Sequence, residues 1–171
     1  MNRKIRLGIS SCLLGENVRY DGGHKLDHCL KDTFGKFVEW VPVCPEVECG
    51  LGIPREAMHL IGTPESPRLV TRDSNIDYTE KMLKWAAGKM KQLERKELCG
   101  FVFKSDSPNC GLNSVLSKKG IGIFAKTFTD HFTSMPSEDN SRLRDAKIRE
   151  NFIRKIYAFR RIRNVAKISE I

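Results

Sequence analysis

A chain of 171 residues, 40% apolar and 30% charged, has the size and composition of a soluble globular domain with a real core. No apolar run approaches the roughly 20 residues of a membrane span, which excludes a spanning helix. The net charge of +9 is uneven: residues 141–171 carry 10 Lys and Arg against 3 Asp and Glu, while residues 1–140 carry 20 against 18. The basic character is therefore a property of the C-terminal segment, which reads as a solvated helix face, a face for an acidic partner, or an RNA contact.

The N-terminal residues Arg3, Lys4 and Arg6 precede Cys12 by too little for a secretion signal. Only five residues separate Arg6 from Cys12, and a signal needs an apolar core of about 7–15. A cytoplasmic protein is expected. Its six cysteines, at 12, 29, 44, 49, 99 and 110, are then not a disulfide framework. No CxxC pair occurs, which disfavours a zinc ribbon or finger.

Residues 5–10 read as a short buried strand. A loop from Ser11 to Gly23 follows. The spacing of Leu26, Cys29, Leu30 and Phe34 predicts a helix over 24–34, with Gly35 as its cap. Residues 37–43 read as a second strand, with Pro42 marking an edge or an end. Cys44 to Pro54 is a loop of glycine, proline and acids. Residues 57–61 and 68–71 form two short strands around a turn. Asp77 to Glu80 has the pattern of a capping box, opening a helix to about Lys96. Residues 98–103 are a buried strand, and Lys104 to Gly111 a third polar loop. Within 115–128, Gly120 and Gly122 precede a short helix; Gly120-Ile121-Gly122 is too weak for a dinucleotide fingerprint. Met135 to Asn140 reads as a linker, and 141–167 as a second long helix.

Strands alternating with helices predict an α/β fold: one three-layer, Rossmann-like domain with a mostly parallel sheet, plus a basic C-terminal helix. In such sheets ligands bind at the carboxyl ends of the strands. Cys12, Cys44 and Cys110 each follow a strand, so all three fall on loops at one sheet edge. Cys29 and Cys99 lie on a helix face and inside a strand and read as core residues. The first loop, Gly8 to Lys25, is costly to order, at about 1–2 kcal/mol of backbone entropy per residue, which argues that it does something.

Three thiolates from separate loops suit Zn²⁺ or an iron–sulfur cluster. Cys49, in a C-x₄-C pair with Cys44, is an uncertain fourth ligand. Proton-handling groups stand nearby in sequence: Glu46, Asp21, Arg19, His24, Lys25, Ser105, Asp106 and Ser107. Glu48 reads as a loop cap and His24 as a helix N-terminal residue. Gly22 and Gly23 offer backbone amides to an anion.

The segments SSCLLGENVRYDGGHK, VPVCPEVECGLGIPRE and SPNCG, in this order, resemble the thiouracil desulfidase (TudS-like) family, domain of unknown function 523. The resemblance covers residues 5–130. It implies a [4Fe-4S] cluster, sensitive to air, on Cys12, Cys44 and Cys110, with Glu46 as catalytic acid and Ser107 as active-site serine. It implies non-redox removal of sulfur from a thiolated nucleobase or related thioamide. Ser11, Arg19, Asp21 and Lys25 are then expected to contact the substrate and shape its pocket. Cys49 and the loop around it depart from small family members and resemble a longer subgroup. SRLRDAKIRENFIRKIYAFRR resembles the first helix of a second domain, domain of unknown function 1722. The expected division is thus a desulfidase-like domain over 1–136, then a linker and basic helix over 137–171. The competing reading is a metal-binding module whose basic helix contacts RNA or a partner domain.

Overall fold

The computed structural model describes residues 4–112 and 120–169. In chain order the elements are β1 (Ile5–Ser10), β2 (Val38–Val43), α1 (Pro45–Glu48), β3 (Met58–Gly62), β4 (Pro67–Thr71), α2 (Thr79–Glu94), β5 (Phe101–Phe103), α3 (Ile123–His131), β6 (Ser137–Asp139) and α4 (Ala146–Ser169). Among the described residues a four-stranded sheet runs β2–β1–β5–β6, with every pairing parallel. The pair β3–β4 forms a separate antiparallel hairpin.

Alternation along β1 and β5 builds the layers. Ile5, Leu7, Ile9 and Val102 face one side, where they pack with Leu30, Phe34, Leu143, Phe152 and Ile156. Phe101 and Phe103 face the other side and pack against Met90 and Leu93 of α2 and Phe124 and Phe128 of α3. Both faces of a parallel sheet are thereby covered, as such sheets require. Gly8 lies in register with Phe101. A Cβ at Gly8 would stand 2.1 Å from Phe101 Cδ2, so the glycine makes room for that ring. The hairpin packs Leu60 and Leu69 onto Met82 of α2.

The three-layer α/β architecture with a C-terminal helix is as expected, and four local elements differ. The helix expected over 24–34 is reduced to a π turn at Cys29–Thr33 and a 3₁₀ turn at Phe34–Lys36. The amides of Lys25 and Asp27 donate to the carbonyls of Cys12 and Leu13, both at 2.9 Å, which ties 25–27 to the first loop, and the Asp27 carboxylate accepts the Leu30 amide at 3.2 Å, so helical backbone starts only after it. Gly35 lies inside the 3₁₀ turn rather than capping a helix, and a Cβ there would approach Trp40 Nε1 at 3.3 Å.

The cap of α2 is Asp77 folding onto Thr79. Asp77 Oδ1 accepts from the Thr79 amide and hydroxyl, and Thr79 Oγ1 accepts from the Leu69 amide. This replaces the expected reciprocal box with Glu80. The strand expected over 98–103 is named over Phe101–Phe103 alone, although the Cys99 amide and Gly100 carbonyl also bond to β1 residues. Met135–Asn140, expected as a linker, supplies β6, whose short polar sequence is recruited by register with β5. Residues 115–119 of the stretch expected before α3 lie outside the described residues. The basic helix α4 is not a free appendage: Phe152 and Ile156 are buried against the sheet, and Arg163 Nη1 donates to the Leu98 carbonyl at 2.7 Å. None of the described helices is long and apolar enough to cross a membrane.

Candidate active site

Each of β1, β2 and β5 ends on the same edge of the sheet, and the segments that follow them carry Cys12, Cys44 and Cys110 in turn. Ser11–Leu14 form a 3₁₀ turn that presents Cys12. Cys44 caps α1, a single turn started by Pro45. Cys110 follows β5 after a bend in which Asp106 takes a φ of 56°. The three thiols line one cavity of about 300 Å³, together with Ser11, Glu46 and Ser107. That volume suits a single heterocycle.

All six cysteines are free thiols. Burial pushes the Cys12 thiol up, against the opposing pull of Lys104 and Arg19. Burial and the neighbouring Glu46 charge raise Cys44 to about 12. Cys110 is raised well above its usual range, by burial first and then by Glu46, with smaller contributions from Cys12 and Cys44. Among the described residues, no three His, Cys, Asp or Glu side chains converge closely enough to hold a single metal ion. A cluster makes a different demand, because each thiolate binds its own iron and the sulfurs surround the cluster rather than one point.

Glu46 is well placed between these loops. Its side chain is 12% exposed. Asn109 Nδ2 donates to Oε1 at 2.7 Å, and the Cys44 thiol donates to Oε2 at 3.5 Å. Arg55 Nη2 stands 4.0 Å from Oε2. Ser107 lines the cavity, but its hydroxyl accepts the amides of Asn109 at 3.3 Å and Cys110 at 3.1 Å. It thus shapes the turn that presents Cys110.

The first loop divides its expected substrate contacts. Ser11 is buried and lines the cavity, as does Arg19. Asp21 does not line it. Its carboxylate accepts from Arg19 Nε and Nη2, both at 3.3 Å, and from the Gly23 amide at 3.0 Å. Those bonds hold Asp21 below its usual range, the Gly23 amide contributing most. Lys25 is exposed and away from the cavity, and contributes through its amide to Cys12. The amides of Gly22 and Gly23 are occupied by Arg19 and Asp21, which leaves them unavailable to an anion.

Cys49 turns away: its thiol donates to the Glu46 carbonyl at 3.3 Å and its side chain packs under the hairpin. Cys29 is exposed rather than in the core, while Cys99 is buried as expected. Glu48 caps as expected, accepting from the Cys44 amide at 3.1 Å and pairing with Lys89 at 2.6 Å. His24 heads no helix; its Nδ1 accepts the Leu26 amide at 3.1 Å.

Three residues escaped the sequence reading. Asn109 is wholly buried and bonds Glu46. Arg55, 11% exposed, donates to the Val18 carbonyl at 3.0 Å and the Gly52 carbonyl at 3.2 Å. Lys104 lines the cavity, and burial lowers its pKa. All three sit inside or beside the quoted motifs; Asn109 reaches Glu46 and Arg55 reaches Val18 on another loop, while the Lys104 ammonium donates to the carbonyl of its neighbour Ser105.

A cavity lined by three cysteines and a carboxylate at the carboxyl edge of a three-layer parallel α/β sheet lies where enzymes of the doubly wound kind bind their ligands. A profile of 2-thiouracil desulfurase matches residues 7–140, and the chain belongs to this family of enzymes. It is 31% identical over 109 residues to an uncharacterized protein of Bacillus subtilis (strain 168), YbbK, covering 60% of this chain and 71% of that protein. It is also similar to a solved structure of the [4Fe-4S]-dependent thiouracil desulfidase TudS, with a TM-score of 0.66 and 25% identity, covering 88% of this chain and 99% of that one. The family match stops at residue 140 and does not extend over the segment expected to open a second domain.

Proposed function

We propose that this protein removes sulfur from a thiolated nucleobase of the thiouracil kind, without net redox change. Water supplies the oxygen: the thiocarbonyl and water become a carbonyl and hydrogen sulfide. The observation that carries this reading is the convergence of Cys12, Cys44 and Cys110 with the Glu46 carboxylate on one cavity. The family and the likeness to TudS support the choice of cofactor and substrate class.

The donor set fits a [4Fe-4S] cluster, since three thiols on three loops face a shared space and lack a fourth cysteine among the lining residues. Such a cluster, when bound, supplies an iron without a protein ligand, a soft Lewis acid for a thiocarbonyl sulfur. The remaining chemistry belongs to the chain. Asn109 occupies Glu46 Oε1 and leaves Oε2, facing Cys44, as the atom that takes a proton from water and returns it to the departing sulfur. Arg19 and Lys104 place positive charge at the cavity wall, where a sulfur anion develops. Val18, Tyr20 and Met58 form an apolar flank for the ring.

Anaerobically reconstituted protein incubated with 2-thiouracil and 4-thiouracil should release sulfide and the oxo base in equal amounts. Iron-loaded protein that releases no sulfide from either would overturn the assignment.

A further inference from the structure

We infer that Asn109 is the positioning residue of Glu46, holding its carboxylate in the orientation that turns Oε2 toward Cys44. The effect on turnover rests on the desulfidase reading; the pairing itself does not.

Glu46 cannot hold its own place. It is a long side chain on a helix of one turn. Its Oε2 contacts are loose, at 3.5 Å to Cys44 Sγ and 4.0 Å to Arg55 Nη2. The 2.7 Å bond from Asn109 Nδ2 to Oε1 is the shortest contact on the carboxylate.

Asn109, by contrast, is fixed at its root. Its amide donates to Ser107 Oγ at 3.3 Å, and its carbonyl accepts the Ala125 amide at 2.9 Å. Gly122 lies flush against it: a Cβ there would stand 2.5 Å from the Asn109 carbonyl carbon. The side chain therefore springs from a backbone clamped by the start of α3.

The amide also adopts the orientation that serves Glu46. Asn109 is 0% exposed, and its Oδ1 is buried with no hydrogen-bond partner among the described residues. A half-turn of the amide would set that oxygen against the carboxylate. The unmet Oδ1 acceptor is thus the consequence of giving Nδ2 to Glu46 Oε1. An asparagine serving only to fill space or cap a turn would leave neither group so placed.

The test is a double-mutant cycle on anaerobically purified protein, reading thermal midpoint, iron content, kcat and KM. Asn109→Asp sets two carboxylates together and should lower the midpoint. Combining it with Glu46→Gln, so that donor and acceptor trade sides, should recover most of that loss. Equal loss in both backgrounds overturns the pairing. Asn109→Ala should lower kcat about 10–100-fold with KM within about twofold, and iron content unchanged. In a Glu46→Ala background it should cost nothing further, whereas a multiplicative second loss, or a loss carried by KM, overturns the positioning role. The stability cycle decides the pairing even if the loaded wild type proves inert toward thiouracils, a result that sinks the desulfidase reading alone.

Discussion

Arg55 Nη2 donates to the Val18 carbonyl at 3.0 Å and so ties the second loop of the site to the first. The same guanidinium donates to Gly52 and stands beside Glu46. Arg55→Met should therefore remove the donor to the Gly52 carbonyl, leave the Val18 carbonyl with only the long contact from the Cys44 thiol at 3.8 Å, and loosen the Cys12 loop. The expected destabilisation is about 1–3 kcal/mol, which for a chain of this length lowers the thermal midpoint by roughly 2–4 °C per kcal/mol. Arg55→Lys restores the charge without the fork and should recover only part. A midpoint unchanged in Arg55→Met would show that the loop stands without this tie.

Gly122 sets the distance between α3 and the Cys110 loop. A Cβ there would lie 2.5 Å from the Asn109 carbonyl and 2.8 Å from the Cys110 amide nitrogen, both backbone atoms that have little room to give. Gly122→Ala should push the loop outward and reduce iron retention after reconstitution, alongside a drop in thermal midpoint. Full iron content with a wild-type midpoint would contradict this.

Gly8→Ala tests the sheet interior. The added methyl meets the Phe101 ring at 2.1 Å, and overpacking of this kind costs about 1–3 kcal/mol or more. Adding Phe101→Leu should return part of the loss, because it removes the atoms in the way. The readout is chemical denaturation, and additivity of the two changes would argue against a direct clash.

Asp77 gives a pH signature remote from the site. Hydrogen bonds from Thr79, then Arg68, hold its carboxyl down to about 2 from an ordinary 3.8. Folding therefore favours the ionised form. Its contribution is present above pH 4 or so and is lost as pH falls from there through about 2. Asp77→Asn should destabilise the protein at neutral pH, and the difference from wild type should shrink on acidification through that window. A pH-independent difference in urea midpoint would count against the ion pair and cap.

The placement of Cys12, Cys44 and Cys110 at one edge was legible because strand ends are written locally, as an apolar run broken by polar residues, proline or glycine. Asn109 was not legible as the partner of Glu46, since a bond between residues 63 positions apart leaves no local pattern. The same holds for Arg55 and Val18. Ser137–Asp139 is too short and polar to read as a strand; it becomes one by lying in register with Phe101–Phe103. The helix expected over 24–34 had suitable apolar spacing, but its first residues are tied to the first loop and the Asp27 carboxylate caps the chain at Leu30, so only the turn from Cys29 forms. That same displacement turns Cys29 outward. The role of Gly122 was likewise hidden, because a missing Cβ matters only once the neighbouring backbone is known.

In the proposed function Cys12, Cys44 and Cys110, on three loops, hold one cluster used for sulfur removal. The decisive experiment is anaerobic reconstitution of wild type, Cys110→Ala and Cys29→Ala, followed by iron analysis and sulfide release from 2-thiouracil. About four irons per chain and sulfide release are expected in wild type and Cys29→Ala, with both lost in Cys110→Ala. Iron and turnover that survive in Cys110→Ala, or a wild type that takes up no iron, would contradict that function.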